Sequence, residues 1–219
     1  MFLTRDYIFA KIEDLWEEFD INEVATPEAW AKNPALVLKF YNLRKAQILN
    51  ASPNLAHIAI AELEKDYDVH VITQNIDDLH ERAGSSKIIH LHGEILKVRS
   101  SINPELIKGH KEDLALGEKS EDGSQLRPHI EWFGESVPEM DRAIKTMVNA
   151  EIVIVVGTSL NVYPAAGLIQ YAPTNAQFFI VDPVEINYTS LRKVTFLRTS
   201  ATKGIPQIAE SLKKEIKVV

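Results

Sequence analysis

The run Ile152–Val156 limits the possible folds of this chain most strongly, because it consists of five consecutive apolar residues. A strand that is apolar on both faces is typical of the centre of a sheet that helices cover on both sides. Further strands are predicted at Val69–Thr73, Ile88–His92 and Phe178–Val181, and segments with helical periodicity separate them. This alternation predicts an α/β fold with a Rossmann-like, doubly wound and mostly parallel sheet.

Proline and capping residues indicate where the helices begin. Thr26 followed by Pro27 is typical of a helix start, with threonine as the cap and proline in the first turn. Pro138, Pro164 and Pro206 indicate further starts. The predicted helices are Glu28–Lys32, Pro34–Leu49, Asn54–Lys65, Gln74–Arg82, Pro138–Ala150, Ala165–Tyr171 and Gln207–Ile216, and two shorter strands are predicted at Ile130–Phe133 and Val194–Leu197.

Composition argues against several classes of protein. The net charge of −7 at pH 7, without a basic block, argues against nucleic acid as a partner. No apolar run approaches the roughly 20 residues that a membrane span needs, and the N-terminus lacks the pattern of a signal peptide. The chain contains no cysteine, which excludes disulfides and thiolate zinc sites. Together these features predict a cytoplasmic protein that binds neither nucleic acid nor membrane.

The stretch Val71–His92 carries the strongest candidates for a functional site. It turns polar after its first strand, at Gln74, Asn75 and Asp77, and its second strand ends at His92. In open α/β sheets ligands bind at the carboxyl edge, where amide and carboxylate groups can hold ribose hydroxyls. A histidine with an ordinary pKa of roughly 6.5 can move a proton there at neutral pH. The alternative is that Asn75 and Asp77 only cap a helix and that His92 is an ordinary histidine.

Two later strand ends carry small or polar residues. Gly157, Thr158 and Ser159 follow the central apolar strand, where a glycine lets backbone approach a ligand and hydroxyls can bond ribose or phosphate oxygens. The same three residues are also common in simple turns. Asp182 follows Phe178–Val181 and can accept hydrogen bonds from sugar hydroxyls.

Tyr41 and Arg44 lie three residues apart on a predicted helix, so their side chains project from neighbouring positions. A guanidinium offers a planar fork of donors and a phenol adds one more, which suits a carboxylate ligand. The alternative is that Tyr41 packs in the core and Arg44 is solvated.

The chain contains four segments that resemble the signatures of the sirtuin family of NAD-dependent protein-lysine deacylases: TQNIDDLHERAG, HLHGE, RPHIEWFGE and VGTSLNVYPAAG. The resemblance covers roughly residues 14–216, and the segments LWEEFD, VATPEAW and FYNLRKAQ further resemble its class III branch. It implies a single catalytic domain over residues 1–219, with small-subdomain insertions at about 16–52 and 97–128. It also implies NAD as the cofactor and acylated lysine in proteins or peptides as the substrate.

The resemblance implies a role for each candidate of the sheet edge. His92 would be the general base that deprotonates a ribose hydroxyl, in a reaction that moves the acyl group to ADP-ribose and releases nicotinamide. The residues implied to be catalytic are His92, Asn75 and Asp77. The residues implied to line the NAD site are Gln74, Asn75, Ile76, Asp77, Gly157, Thr158, Ser159, Asp182 and Ala201.

The resemblance also implies how the substrate binds. The segments implied to enclose the substrate peptide as an added strand are Phe133, Gly134, Glu135 and Leu160–Val162. Tyr41 and Arg44 would read the carboxylate of succinyl- or malonyl-lysine, which extends the expected reaction beyond deacetylation.

Residues 97–128 depart from the family pattern, because the family carries a four-cysteine zinc module there. Ser100 and Ser101 stand where the first cysteine is expected. We therefore expect no metal in this small, helical or irregular insertion. The apolar residues expected to hold it by packing are Ile102, Leu106, Ile107, Leu114 and Leu116.

Two further departures concern the first strand and the RPHIEWFGE segment. Arg5–Phe9 replaces the glycine-rich loop of the family, and no glycine precedes Gly84. Glu131 stands where an apolar residue is usual.

Two hypotheses therefore stay open: an active NAD-dependent deacylase, or a non-catalytic or truncated relative that binds acyl-peptide or nucleotide without turnover. The sequence leaves the oligomeric state undetermined.

Overall fold

Six strands form a parallel sheet, and three others form a small antiparallel sheet. The computed structural model describes residues 2–3, 19–157, 163–184 and 191–216. The strands are β1 (Phe2–Leu3), β2 (Val71–Thr73), β3 (Ile88–His90), β4 (Gly93–Ser100), β5 (Ile107–Gly109), β6 (Leu126–Ile130), β7 (Ile152–Val156), β8 (Gln177–Val181) and β9 (Val194–Leu197). The helices are α1 (Ile21–Val24), α2 (Pro27–Lys32), α3 (Pro34–Asn50), α4 (Leu55–Leu63), α5 (Leu79–Ala83), α6 (Met140–Met147), a 3₁₀ helix (Ala165–Tyr171) and α7 (Ala201–Ile216).

The order of the large sheet is β3-β2-β1-β7-β8-β9, and all of its pairs are parallel. The register aligns Leu3 with Thr73 and with Val156. It also aligns Thr73 with His90, and Val156 with Val181. The carboxyl ends of these strands therefore share one edge, and β1 lies where the order reverses, which is where such sheets bind ligands. The expected doubly wound α/β fold is confirmed.

Strand β7 contacts an apolar layer on each side of the sheet. Ile154 and Val156 belong to a buried cluster with residues of α4 and α7, whereas Val153 and Val155 belong to a second cluster with α6 and the 3₁₀ helix. Because successive side chains of a strand point to opposite faces, a fully apolar run is stable only if both faces are covered. The prediction of a central strand here is confirmed.

Helices α1–α3 and strands β4–β6 form a second group of elements, called the small region below. Phe40 of α3 is buried with Ile95 of β4 and with Trp132, which follows β6. A neighbouring cluster joins Leu38 to Leu114 and to residues of β4 and β6. Thr26 and Asn33 cap α2 and α3 by accepting from backbone N–H groups, at 3.0 Å and 3.1 Å. The helix starts predicted at Pro27 and Pro34 are thus confirmed.

The insertion differs from the irregular, polar excursion that its composition suggested. Strands β4, β5 and β6 form an antiparallel sheet in the order β5-β4-β6. Of the apolar residues expected to hold it, Leu114 is buried. The other expectation is wrong for Ile102, Ile107 and Leu116, which are exposed. Their place in the packing is taken by residues of the strands themselves, such as Val98 and Leu126.

Three element boundaries also differ from the prediction. Helix α5 begins at Leu79, because residues 74–78 form a turn in which side-chain oxygens accept backbone N–H groups. Strand β6 ends at Ile130, so the predicted strand Ile130–Phe133 is wrong. Helix α7 begins at Ala201 and contains Pro206 in its interior. None of the helices in the described ranges combines the length and apolarity that a bilayer span requires.

Candidate functional site

The predicted site residues gather at the carboxyl edge of the parallel sheet. Gln74 follows β2, Gly157 follows β7 and Asp182 follows β8. His92 comes two residues after the end of β3. Because the register aligns these strand ends, the side chains lie along one edge, as the sequence predicted. The predictions for Thr158, Ser159 and Leu160–Val162 fall outside the described residues.

The turn after β2 is fixed by backbone N–H groups that donate to two side-chain oxygens and one backbone carbonyl. The N–H of Asn75 donates to the hydroxyl of Thr73 at 3.0 Å, and the N–H of Ile95 donates to the carbonyl of Ile76 at 2.9 Å. The carboxylate of Asp77 accepts from the N–H of Leu79 at 3.0 Å. The side chain of Asp77 thus accepts from the first residue of α5, although the N-cap position of this helix is Asp78, and the bond of Asn75 uses its backbone N–H.

Asp77 occupies an environment that disfavours its charge. Burial raises the pKa of its carboxyl, although the hydrogen bond from Leu79 and the imidazole of His90 work against this rise. A carboxyl whose pKa is shifted by burial at a ligand-binding edge is a candidate for a functional role.

The two histidines of the HLHGE segment have different surroundings. Both ring nitrogens of His90 are engaged, with the carbonyl of Asn75 at 3.1 Å and with the carboxylate of Glu81 at 2.8 Å. Burial lowers the pKa of His92, and the carboxylate of Glu131 and a backbone contact with Leu91 partly offset this effect. His90 is thus a structural link between the turn and α5, and His92 is the histidine suited to accept a proton near neutral pH.

Gly93 lets the chain turn directly after His92. Its φ of +81° lies in the left-handed region, and a Cβ atom at this position would lie 2.1 Å from the carbonyl oxygen of His129. Only glycine tolerates both constraints. The position of His92 relative to β6 therefore depends on this residue.

The other end of the edge carries the residues expected to face NAD. Gly157 has a φ of +55°, and its N–H donates to the carbonyl of Val181 at 3.1 Å. The carboxylate of Asp182 accepts from the N–H of Val184 at 2.7 Å, which fixes its position beyond β8. Ala201 is buried at the first turn of α7. The carboxylate of Asp182 can accept from ribose hydroxyls, and at Gly157 no side chain keeps a ligand away from the backbone. Both features fit a ribose bound at the carboxyl edge of the sheet.

Tyr41 and Arg44 are both buried on α3, with 4% and 6% of their surface exposed. The alternative in which Arg44 is solvated is therefore wrong, although Tyr41 does pack, against Phe40 and Trp132. Burial raises the pKa of Tyr41 to about 12, so its phenol stays a donor. Burial lowers the pKa of Arg44, and Tyr41 and the carboxylate of Asp77 oppose this shift. The guanidinium therefore lies in a low-dielectric environment close to the turn after β2.

Arg82 joins this helix to the turn, a connection that the sequence did not indicate. Its guanidinium donates to the carbonyls of Ile48 and Ala51 at 3.0 Å and 2.6 Å. Its Nε atom lies 2.9 Å from the carboxylate of Asp78. A cation is favourable at a helix C-terminus, where backbone carbonyls lack partners. Arg82 therefore connects the end of α3 to the start of α5 through these contacts. A lone arginine in a helix gives no sequence signal for such a role.

The 131–135 segment, expected to bind the substrate peptide, is a turn and not a strand. Phe133 is 56% exposed, and its N–H donates to the carbonyl of Ala25 at 3.0 Å. Glu135 accepts from the guanidinium of Arg127 at 2.7 Å and 2.9 Å and from the N–H of Trp132 at 2.7 Å. The Glu135 side chain is thus engaged with the scaffold, which leaves backbone as its means of contact with a peptide.

The residues at the expected zinc module do not fit a thiolate site. The chain has no cysteine, and Ser100 is buried with 2% of its surface exposed. Its hydroxyl oxygen accepts from the N–H groups of Ile102 and Asn103, at 3.1 Å and 2.9 Å. It also lies 2.5 Å from the carboxylate of Asp122 and 2.8 Å from the hydroxyl of Ser124. Structural zinc is bound by cysteine and histidine in tetrahedral sites, and this oxygen cluster provides neither.

Comparison with known proteins identifies similar sequences and similar structures. A profile of the Sir2 family matches residues 8–164. An NAD-dependent protein deacylase of Bacteroides thetaiotaomicron is 48% identical over 204 residues, which cover 90% of this chain and 87% of that protein. The solved structure of a Sir2 homologue with NAD has a TM-score of 0.82 at 35% identity, over 93% of this chain and 82% of that one. A variant Sir2 homologue with ADP-ribose has a TM-score of 0.84 at 35% identity, over 100% and 87%.

Proposed function

The chain belongs to the Sir2 family, and from this membership we propose that it is an NAD-dependent deacylase of acylated lysine in proteins or peptides. The observation that carries the proposal is the common sheet edge of Asn75, Asp77, His92 and Asp182, which follow strands on both sides of the point where the strand order reverses.

NAD would bind along this edge. The residues proposed to hold it are Gln74, Asn75, Ile76, Asp77, Gly157, Thr158, Ser159, Asp182 and Ala201. When bound, NAD supplies an electrophilic ribose carbon with nicotinamide as the leaving group, and its ribose receives the acyl group. Asp182 accepts from ribose hydroxyls, and Gly157 lets the backbone approach closely.

His92 is proposed as the general base that removes a proton from a ribose hydroxyl. Burial lowers its pKa, so the imidazole is neutral and able to accept a proton at neutral pH. His90 is less suited, because Glu81 and Asn75 engage its two nitrogens. Asn75 and Asp77 are proposed to orient the ribose and the nicotinamide at the same edge.

Tyr41 and Arg44 are proposed to recognise the carboxylate of succinyl- or malonyl-lysine. Both side chains are buried on adjacent positions of α3, where a charged hydrogen bond is stronger than in water. An acetyl group has no carboxylate, so this pair would favour acidic acyl groups without excluding acetyl.

The peptide is proposed to bind between the backbone of Phe133 and Gly134 on one side and Val162 on the other. Glu135 would contribute by holding this turn in place through its side-chain hydrogen bonds. We further propose that the chain needs no zinc, since oxygen atoms of Ser100 and its neighbours occupy the corresponding place. The single catalytic domain, the cytoplasmic location and the lack of nucleic acid and membrane partners stay predictions.

A mass-spectrometric deacylation assay tests this proposal. The purified chain is incubated with acetyl-lysine and succinyl-lysine versions of one peptide, with and without NAD. We expect NAD-dependent loss of the acyl mass, with faster loss of succinyl. Unchanged peptide in every reaction would reject the proposed activity.

A second candidate is a protein that binds acyl-peptide or nucleotide without turnover. It is favoured by the sequence Arg5–Phe9, where the family has its glycine-rich loop, and by the lack of glycine before Gly84. Bulky side chains there would hinder a pyrophosphate, because a nest of backbone N–H groups forms most easily with glycine. Arg5–Phe9 lies outside the described residues. Calorimetry measures the affinity of the chain for NAD. Micromolar NAD affinity, together with turnover in the deacylation assay, would reject this candidate.

A further inference from the structure

Two buried arginines, Arg99 and Arg127, pair with two partly buried carboxylates of the 131–135 segment, Glu131 and Glu135. Arg99 of β4 contacts Glu131 through two atom pairs, at 2.5 Å and 3.0 Å, and Arg127 of β6 contacts Glu135 at 2.7 Å and 2.9 Å. The two pairs are joined, since Arg99 also lies 3.5 Å from the carboxylate of Glu135. The two guanidiniums and two carboxylates balance in charge, which buried ions require.

Glu131 connects this cluster to His92. Its N–H donates to the carbonyl of His92 at 3.0 Å, directly beside the pairing of Gly93 with Ile130. Its side chain reaches back to Arg99, on the strand that begins right after His92. One residue therefore contacts the backbone of the histidine and the scaffold of the 131–135 segment at the same time.

The charge of Glu131 acts on the imidazole. Burial lowers the pKa of His92. Of the described charged residues, Glu131 is the one that raises this pKa and so offsets the effect of burial. Arg99, Glu131, Glu94 and Lys97 all shift the pKa of the neighbouring His129, whereas Glu131 is the one of these four charges that shifts the pKa of His92. Loss of the Glu131 charge should therefore lower the pKa of His92 further, and an Arg99 left without this partner would act in the same direction.

We infer that Glu131 is a positioning residue for the reaction: held by Arg99, it fixes the junction between His92 and the peptide-binding segment and places a negative charge near the imidazole. The inference rests on the proposed deacylase function for its catalytic meaning. It also gives a role to a charged residue at a position where an apolar one is usual in this family.

The pH profile of kcat/KM for Glu131→Gln tests this inference. The acidic limb reports the pKa of the base in the free enzyme, so we expect it to move to lower pH when the negative charge is removed. Glu94→Gln is the matched control, since Glu94 also lies near this junction and pairs with Lys97. Its acidic limb should coincide with that of the wild type. An unchanged limb in Glu131→Gln would overturn the inference, even if kcat or stability falls.

NMR titration of the histidine ring protons provides a readout that needs no turnover. The signal of His92 is assigned by its loss in His92→Ala, and its pKa should fall in Glu131→Gln but not in Glu94→Gln. A fall of this pKa in a chain that shows no deacylation would reject the proposed function and leave the electrostatic link intact. Equal pKa values in the wild type and Glu131→Gln would reject the link itself.

A second variant covers the case in which Glu131→Gln does not fold. Arg99→Met combined with Glu131→Val replaces the ion pair by apolar side chains, an exchange that buried pairs often tolerate. The same drop in the pKa of His92 is expected, because the negative charge is gone. No drop in this folded double variant would likewise overturn the inference.

Discussion

In the central strands β7 and β8 of the parallel sheet polar side chains are confined to the strand ends, whereas in the small region several are buried and bound to one another. Strands β7 and β8 contribute almost only buried apolar residues, and the candidate site begins where they stop, at Gly157 and Asp182. The sheet is stabilised by apolar area that two helical layers remove from water. Its edge can therefore keep carboxylates and an imidazole for a ligand.

The small region uses charge and hydrogen bonds for its own structure. Asn42 exchanges two hydrogen bonds with the backbone of Leu114, at 3.1 Å and 3.0 Å, which ties α3 to the insertion. Lys45 donates to the carbonyl of Glu112 at 2.7 Å in the same interface. The comparison indicates that the polar residues of the edge lie at strand ends, where we propose that they serve chemistry, while those of the small region add hydrogen bonds and ion pairs to its apolar packing.

The largest loss of stability is expected from Arg127→Met. Arg127 binds both carboxylate oxygens of Glu135 and stacks on Trp132 at 3.3 Å, so its loss leaves a buried carboxylate poorly paired. Breaking such a pair typically costs about 3–5 kcal/mol, measured here as the free energy of unfolding in denaturant. Arg142→Met removes an exposed ion pair with Glu139 and should cost less than about 1 kcal/mol. Equal losses would show that the buried pair contributes no more than a surface pair.

The next effect concerns the acyl group. Arg44→Met should reduce kcat/KM for a succinyl-lysine peptide by an amount equivalent to about 2–5 kcal/mol, because a desolvated carboxylate loses its partner. The acetyl-lysine peptide should be affected far less. Lys39→Met, an exposed change on the same helix, serves as the control. If both peptides lose the same factor, Tyr41 and Arg44 do not read the acyl carboxylate.

A smaller effect is expected at the hydroxyl cluster of the insertion. Ser100→Ala leaves the N–H groups of Ile102 and Asn103 without their acceptor and should cost about 1–3 kcal/mol of unfolding free energy. Ser101→Ala is the matched control and should stay within about 0.5 kcal/mol of the wild type. A chelator should leave the Tm unchanged. A fall of the Tm on chelation would contradict the zinc-free account.

A further effect, spread over about two pH units, is a loss of stability in mild acid. His57 and His80 are buried with ring centroids 4.7 Å apart, and burial lowers their pKa values to about 4 and about 3. The unfolded chain takes up protons below about pH 6.5, and the folded chain does not until lower pH. Stability is therefore complete above that pH and falls as the pH drops toward 4, by up to about 1.4 kcal/mol per pH unit for each histidine.

Urea unfolding midpoints between pH 8 and pH 4.5 measure this slope. His57→Phe keeps an aromatic ring in place and should give a shallower slope than the wild type. Identical slopes would mean that other groups carry the acid sensitivity.

The parallel sheet could be predicted from the sequence, because its short apolar runs between helical segments are typical of buried strands. Ile152–Val156 could only be a covered strand, and the residues after each strand had to meet at one edge. The antiparallel sheet was missed because residues such as Arg99 and Arg127 look like surface residues in isolation. Their burial depends on carboxylates more than 30 residues away for Arg99, and no local pattern predicts such a pairing.

The same limit applies to the candidate site. The edge positions of Asn75, Asp77 and His92 follow from strand ends and were predicted. The hydrogen bonds of Arg82 to the end of α3, and the role of Glu135 as a scaffold residue, depend on backbone carbonyls and turns that form only in the folded chain. The sequence therefore indicates where chemistry occurs better than it indicates what holds it in place.

The formation of deacylated peptide from NAD and an acetyl-lysine peptide tests the central claim, the role of His92 at the sheet edge, most directly. The wild-type chain should release nicotinamide only when both substrates are present. His92→Ala should keep its fold and lose about 10²–10⁴-fold in the rate of deacylated peptide formation, as expected for a general base. Deacylation at the same rate in wild type and His92→Ala, or none in the wild type, would contradict the account.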